Sequence, residues 1–163
     1  MSNRTLRCWV ALGIAGLAGA GSQALAADYT TIVLSTDVAR PAGEVWKAVG
    51  GFCDIGAWLK MKCVYTSGTG GLGTVRQLAG RIDEVMVGRT PHSYTITQPA
   101  NKDGFHATVD VEPAGPHESK ITYSMVYDQS HLAPGETKER YRAQHMRMCT
   151  SALEWMKKRA EGE

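Results

Sequence analysis

The chain has 163 residues, 43% of them hydrophobic and 21% charged, with a formal net charge of +2. That length supports one domain with a real core and excludes two. The excess charge resides in the first 26 residues: beyond them sixteen basic and sixteen acidic residues balance, which excludes the electrostatic footprint of a nucleic-acid or anionic-membrane binder.

Residues 1–26 read as an export signal. Arg4 and Arg7 give a basic start, "WVALGIAGLAGA" (9–20) an apolar core too short to span a bilayer, and "ALA" (24–26) a small-x-small cleavage site. Gly13, Gly16, Gly19 and Gly21 argue against a buried helix there. Cys8 precedes the apolar core and is not placed as a lipid-attachment cysteine. Cleavage near Ala26 leaves residues 27–163 as a single periplasmic or secreted domain, with no membrane span.

"TIVLSTDVA" (31–39) puts Ile32, Leu34, Thr36 and Val38 on one face, the period of a strand. "RPAGEVWKAV" opens a helix with Pro41 at its first position and Val45, Trp46 and Val49 as its apolar stripe; Gly50 and Gly51 stop it. Asp54 is the expected N-cap of a second short helix through Trp58. Six strand patterns follow: "KCVYTS", "TVRQLA", "RIDEVMV", "HSYTIT", "FHATVDVE" and "KITYSMVYD". Glycine and proline turns separate them, as in an antiparallel meander. From 136 to 158 the period becomes helical, with Tyr141, His145, Met148, Ala152 and Trp155 or Met156 on one face. The class is α+β, and a single helix laid on a curved sheet leaves either a packed core or a pocket beneath it.

Three cysteines lie beyond the signal. Without C-x-x-C or H-x-x-x-H pairs they do not read as a zinc site. An oxidising compartment permits a Cys53–Cys63 disulfide, with Cys149 left as a buried free thiol. The alternative is that Cys53 packs inward while Cys63 points the other way along its strand.

"PAGEVWKAVGGFCDIGAWLK" resembles the helix–Gly–Phe–short-helix–Trp signature of the START-like superfamily (SRPBCC, the birch-pollen-allergen fold). "GLGTVRQL…GRIDEVM…SYTIT…FHATVDVEP…SKITYSMVYD" is similar to its polyketide cyclase/dehydratase branch. The resemblance implies a helix-grip fold: a curved antiparallel seven-stranded sheet wrapped around a long C-terminal helix, with two short helices after the first strand. It also implies a cofactor-free cavity for a hydrophobic or aromatic small molecule. The activity implied is either acid/base chemistry (cyclase, dehydratase or lyase) or non-catalytic carriage of an apolar ligand or lipid. Trp58 is often followed by His-Pro in that branch, but here by Leu59 and Lys60, so a contact through that histidine does not carry over.

Within this frame a three-residue turn at 79–81 sets Arg76 opposite Glu84, where the resemblance implies a place at or near the cavity. The pair could orient a ligand carbonyl or carboxylate, with Glu84 as general base, or serve as a structural ion pair. Alternation puts Tyr94, Tyr123 and Tyr127 on the apolar faces of their strands, with Tyr123 and Tyr127 turned toward the last helix, which offers Tyr141 and His145. The candidate catalytic groups are therefore Glu84, His145 and Tyr123. The candidate ligand-binding residues are Trp58, Lys60, Arg76, Tyr94, Tyr127 and Tyr141. His106 should face outward, and Cys149, one turn after His145, allows a Cys–His dyad or plain core packing. "GTGGLG" (68–73) matches G-x-G-x-x-G, but a strand follows it, so it reads as a hairpin loop that could gate a pocket.

Overall fold

The computed structural model describes residues 27–162, so the expected export segment lies outside the described residues. Strand β1 (Tyr29–Val38) is followed by helices α1 (Ala42–Val49) and α2 (Ile55–Trp58). Strands β2 (Cys63–Ser67), β3 (Val75–Leu78), β4 (Ile82–Thr90), β5 (Ser93–Thr97), β6 (His106–Gly115) and β7 (Glu118–Asp128) come next, and helix α3 (Lys138–Glu161) closes the chain. The seven strands form one antiparallel sheet in the order β1-β7-β6-β5-β4-β3-β2. The chain thus meanders from β2 to β7, and β1 pairs with the last strand. Register breaks at Tyr65/Ser67, Met86/Gly88 and Pro113/Gly115 interrupt the ladders where extra residues bend the strands. This is the helix-grip arrangement.

The inner face follows from alternation. Ile32 and Val38 of β1, Met86 of β4, Ile96 of β5, Ala107, Val109 and Val111 of β6, and Ile121 and Met125 of β7 are all buried. His106 is exposed on the opposite side, as its register requires. Helix α1 buries Ala42, Val45 and Val49. Its start corrects the sequence reading by one residue: Pro41, at ψ 142, is the extended N-cap and not the first helical position.

Asp54 also departs from expectation. It occupies the position before α2 with helical dihedrals and makes no side-chain cap. Its carboxylate instead accepts the Gly51 N–H at 2.7 Å, closing the turn that ends in α2.

Helix α3 starts two residues later and ends three later than its periodicity suggests. Thr137 caps it by accepting the Arg140 N–H at 3.2 Å, and Gly162, at φ 86, ends it in the left-handed conformation. The buried side chains of α3 are Cys149, Ala152, Leu153 and Met156, all from its midpoint onward. Tyr141, His145 and Met148 in the first half are only half-buried. The helix is therefore anchored at one end and lies shallow at the other.

Cys53 and Cys63 are joined by a disulfide across a Cα separation of 5.5 Å, and Cys149 is a buried free cysteine. The bond ties the turn before α2 to the edge strand β2.

Candidate functional site

The turn Ala79–Gly80–Arg81 sets the first polar centre. Ala79 and Gly80 both take positive φ (51 and 70), which folds β3 tightly onto β4 and puts Arg76 directly opposite Glu84. The two side chains are 1% and 4% exposed. Arg76 Nε and Nη2 both donate to Glu84 Oε2, at 2.7 and 2.6 Å. Arg76 Nη1 donates to the Phe52 carbonyl and lies 3.5 Å from the Tyr94 hydroxyl. The guanidinium is 4.2 Å from the Phe52 ring centroid and 5.5 Å from that of Tyr94. Glu84 Oε1 accepts from Gln98 Nε2 at 2.9 Å. Both carboxylate oxygens and all three guanidinium nitrogens are thus engaged within the protein. The pair locks the α1–α2 connection to the sheet, and burial raises the Tyr94 phenol above its usual range despite the neighbouring arginine.

A second polar centre lies across the same face of the sheet. Gly104, at φ 59, turns the loop before β6 so that the Asp103 carbonyl accepts the Asp128 N–H at 2.7 Å and the Asp103 side chain points inward, 6% exposed. Asp103 Oδ2 accepts the Tyr141 hydroxyl at 2.8 Å. His145 lies one turn further along α3, with Nδ1 2.9 Å from the Tyr141 carbonyl. A carbonyl only accepts, so Nδ1 carries the hydrogen and Nε2 is left as an acceptor in the neutral ring. Tyr127, fully buried, stacks on His145 (centroids 5.0 Å apart) and meets Tyr141 edge-on at 5.3 Å. Phe105 closes the group, 6.2 Å from His145. Asp103 Oδ1 and Tyr127 Oη are buried without a hydrogen-bond partner in the protein. Burial raises the Tyr141 and Tyr127 phenols, and the Asp103 carboxylate adds to both shifts.

Between the two centres Tyr123 is buried on β7, its phenol pushed well up by burial. It borders a narrow crevice, closed too tightly to hold a water molecule, shared with Ile55, Trp58, Leu59, Met148, Cys149 and Ala152, where α2 and α3 meet the sheet. The lining is apolar except for Tyr123, the Cys149 thiol and Trp58 Nε1, and the indole N–H has no partner in the protein. Burial pushes the Cys149 thiol up to about 12.

On the other side of the Arg76 centre a half-open groove of ≈ 480 Å³ runs between Trp46, Phe52, Tyr65, Met86, Arg89 and Tyr94. Thr69, Gly70 and Gly71 of the "GTGGLG" loop overhang it, held by Arg89 Nη1 donating to the Gly70 carbonyl at 2.7 Å. A strand follows that loop, as the sequence indicated.

The residues singled out from sequence therefore fall into three groups. Arg76, Glu84 and Tyr94 form the first centre; Tyr127, Tyr141 and His145 the second; Trp58 and Tyr123 the crevice between. Lys60 is exposed, in a left-handed turn (φ 52), and lines none of the volumes described above. Gln98, Asp103 and Phe105 were not singled out. The first two lie in or beside a loop where strand periodicity has no hold. Only the Gly104 turn signal hinted that this loop folds back on the sheet. Among the described residues no three His, Cys, Asp or Glu side chains converge to hold a metal, and no helix is long and apolar enough to cross a membrane.

The family model described as polyketide cyclase / dehydrase and lipid transport matches residues 29–161. No curated protein matches the chain. A solution structure from Thermobifida fusca is similar at 20% identity and TM-score 0.64, covering 80% of this chain and 92% of that one. An uncharacterised protein from Bacillus thuringiensis gives 19% identity and TM-score 0.63, covering 82% and 100%. The crystal structure of Ara h 8.0201 gives 16% identity and TM-score 0.60, covering 83% and 99%. At such identities the structures speak for the fold alone.

Proposed function

Because the chain belongs to the polyketide cyclase / dehydrase and lipid transport family, we propose that it binds a small aromatic or polyketide-like molecule between α3 and the sheet, after export from the cytoplasm. The observation that carries this reading is the crevice beside Trp58. It is walled mainly by apolar side chains, and one wall, Trp58, carries a buried indole N–H that nothing in the protein accepts. A buried donor left unpaired costs on the order of 1–3 kcal/mol, which a ligand acceptor would recover. The crevice is narrow, so an aromatic guest enters by outward movement of the shallow first half of α3. Such a guest would meet hydrogen-bonding groups at Trp58 and Tyr123 and apolar contact elsewhere.

Binding without chemistry is the reading these groups favour for Glu84, whose carboxylate is fully occupied by Arg76 and Gln98. Acid/base chemistry has one specific observation behind it: His145, with Nδ1 committed to Tyr141, keeps Nε2 for a proton beside the Tyr127 ring. A lyase, cyclase or dehydratase built on this fold would use His145 as base and a tyrosine as acid.

The deciding experiment is mass spectrometry of small molecules retained by protein isolated from its native host, paired with titration of naphthalene-type ligands against tryptophan fluorescence. Retained aromatic compounds and saturable quenching that Trp58→Phe weakens support the reading. No saturable binding up to millimolar ligand sinks it. N-terminal sequencing of the same material should start at Ala27 or Asp28; an intact Met1 removes the export proposal.

A further inference from the structure

The groove of ≈ 480 Å³ under the glycine loop shares no lining residue with the crevice beside Trp58, and it has room for a guest without any movement of the fold. We infer that this groove is a second binding site, taking a planar aromatic carboxylate: the ring rests against Trp46 and Tyr65, and the carboxylate on Arg89. The inference stands independently of the ligand proposed for the crevice.

Four rings run in an unbroken chain through the groove wall. Trp46 lies 5.9 Å from Tyr94, Tyr94 5.4 Å from Phe52, and Phe52 6.0 Å from Tyr65, centroid to centroid. Phe52 and Tyr94 are buried, whereas Trp46 is half-buried and Tyr65 is 43% exposed. The open ring surface is therefore at the two ends of the chain. Two glycines leave room for those end rings. A Cβ at Gly50 would fall 2.4 Å from the Trp46 indole. One at Gly70 would come within 3.4 Å of the Tyr65 hydroxyl, at a φ of 97 that side chains rarely adopt. Open aromatic surface beside a cavity of this size suits a flat ring.

The charge of the groove is one-sided. Arg89 lines it and no carboxylate does. The buried Arg76 nearby adds no net charge, because Glu84 neutralises it. Among the described residues Arg89 makes one hydrogen bond, from Nη1 to the Gly70 carbonyl, and Nε and Nη2 are left without a partner. That free edge offers two parallel N–H donors, the pattern that matches the two oxygens of a carboxylate. A cationic ring compound would meet an uncompensated positive charge. A neutral one would stack equally well and gain nothing from the fork. With a carboxylate in place, one guanidinium joins the guest to the loop above it, holding Gly70 through one nitrogen and the ligand through the other two.

The test is a two-dimensional amide NMR titration of the whole protein with 2-naphthoate and with 2-naphthamide, which match in shape and differ in charge. Naphthoate should shift the Trp46 indole signal and the Gly70 and Gly71 amides saturably, and leave the Trp58 indole in place. At low salt it should bind about fourfold tighter than the amide, the scale of a well-oriented exposed ion pair. That gap should shrink below about twofold near ~0.5 M salt, where the screening length is a few ångströms. Arg89→Gln removes an exposed charge and keeps a donor, so it should erase the gap without changing the affinity for the amide. Equal affinities at low salt, a gap that survives Arg89→Gln, shifts confined to the Trp58 crevice, or no saturable shift up to millimolar ligand would each overturn the site. The two cavities report through different indoles, so a failure at the groove leaves the reading of the crevice intact.

Discussion

At Arg76 the energetics turn on partnership more than on charge. The guanidinium is buried beneath Phe52 and Tyr94 and shares Glu84 Oε2 through two of its nitrogens. Removing one member strands the other in a low dielectric, which for buried pairs costs about 3–5 kcal/mol. Glu84→Gln should therefore lower the urea unfolding free energy by that order. The double substitution Arg76→Met with Glu84→Met should recover most of the loss; a double variant as unstable as the single one would deny the coupling. Cys149 makes a different residue-scale case. With its pKa raised from 9.0 to about 12, the folded thiol stays protonated where the unfolded one ionises. Its contribution is fully present below pH 9 and is lost as the pH rises from there toward 12. Iodoacetamide at pH 8 should label Cys149 slowly in the native protein and rapidly in urea; rapid native labelling would mean that the thiol is exposed.

Among the elements, α2 depends most on covalent help. Four residues make a helix that cannot stand alone in water. It is held by the Asp54 turn, by Trp58 in the core and by the Cys53–Cys63 bond. The disulfide closes a separation of 10 residues, for which chain entropy gives roughly 2–3 kcal/mol. Cys53→Ser with Cys63→Ser should lower the stability by that amount and loosen Trp58, seen as a red-shifted fluorescence component. An unchanged melting curve would show that the bond adds nothing to the fold. Much of this element-scale picture was legible in advance. Strand alternation placed Tyr94, Tyr123 and Tyr127 inward because a period of two leaves no choice of face, and a three-residue turn fixed the register of Arg76 against Glu84. The disulfide stood as one of two alternatives, because spacing says nothing about whether a short helix brings its flanking cysteines together. Asp103 was missed for a related reason: its inward direction comes from one left-handed glycine and from an Asp128 amide 25 residues away. No local pattern encodes either.

Across the whole molecule, the grip of the sheet on α3 is uneven, and this has a kinetic consequence. Cys149, Ala152, Leu153 and Met156 anchor the last turns, while the first turns rest on half-buried Tyr141, His145 and Met148. Local opening free energies follow buried contact, so the helix should not open as one cooperative unit. In native-state hydrogen exchange, amides of 142–147 should exchange markedly faster than those of 152–157; uniform protection along α3 would contradict this. Any guest beneath the helix is then released only when the first half lifts. Its residence time becomes a property of the lid rather than of the guest: ligands of different affinity should leave at one common rate and differ mainly in how fast they are captured.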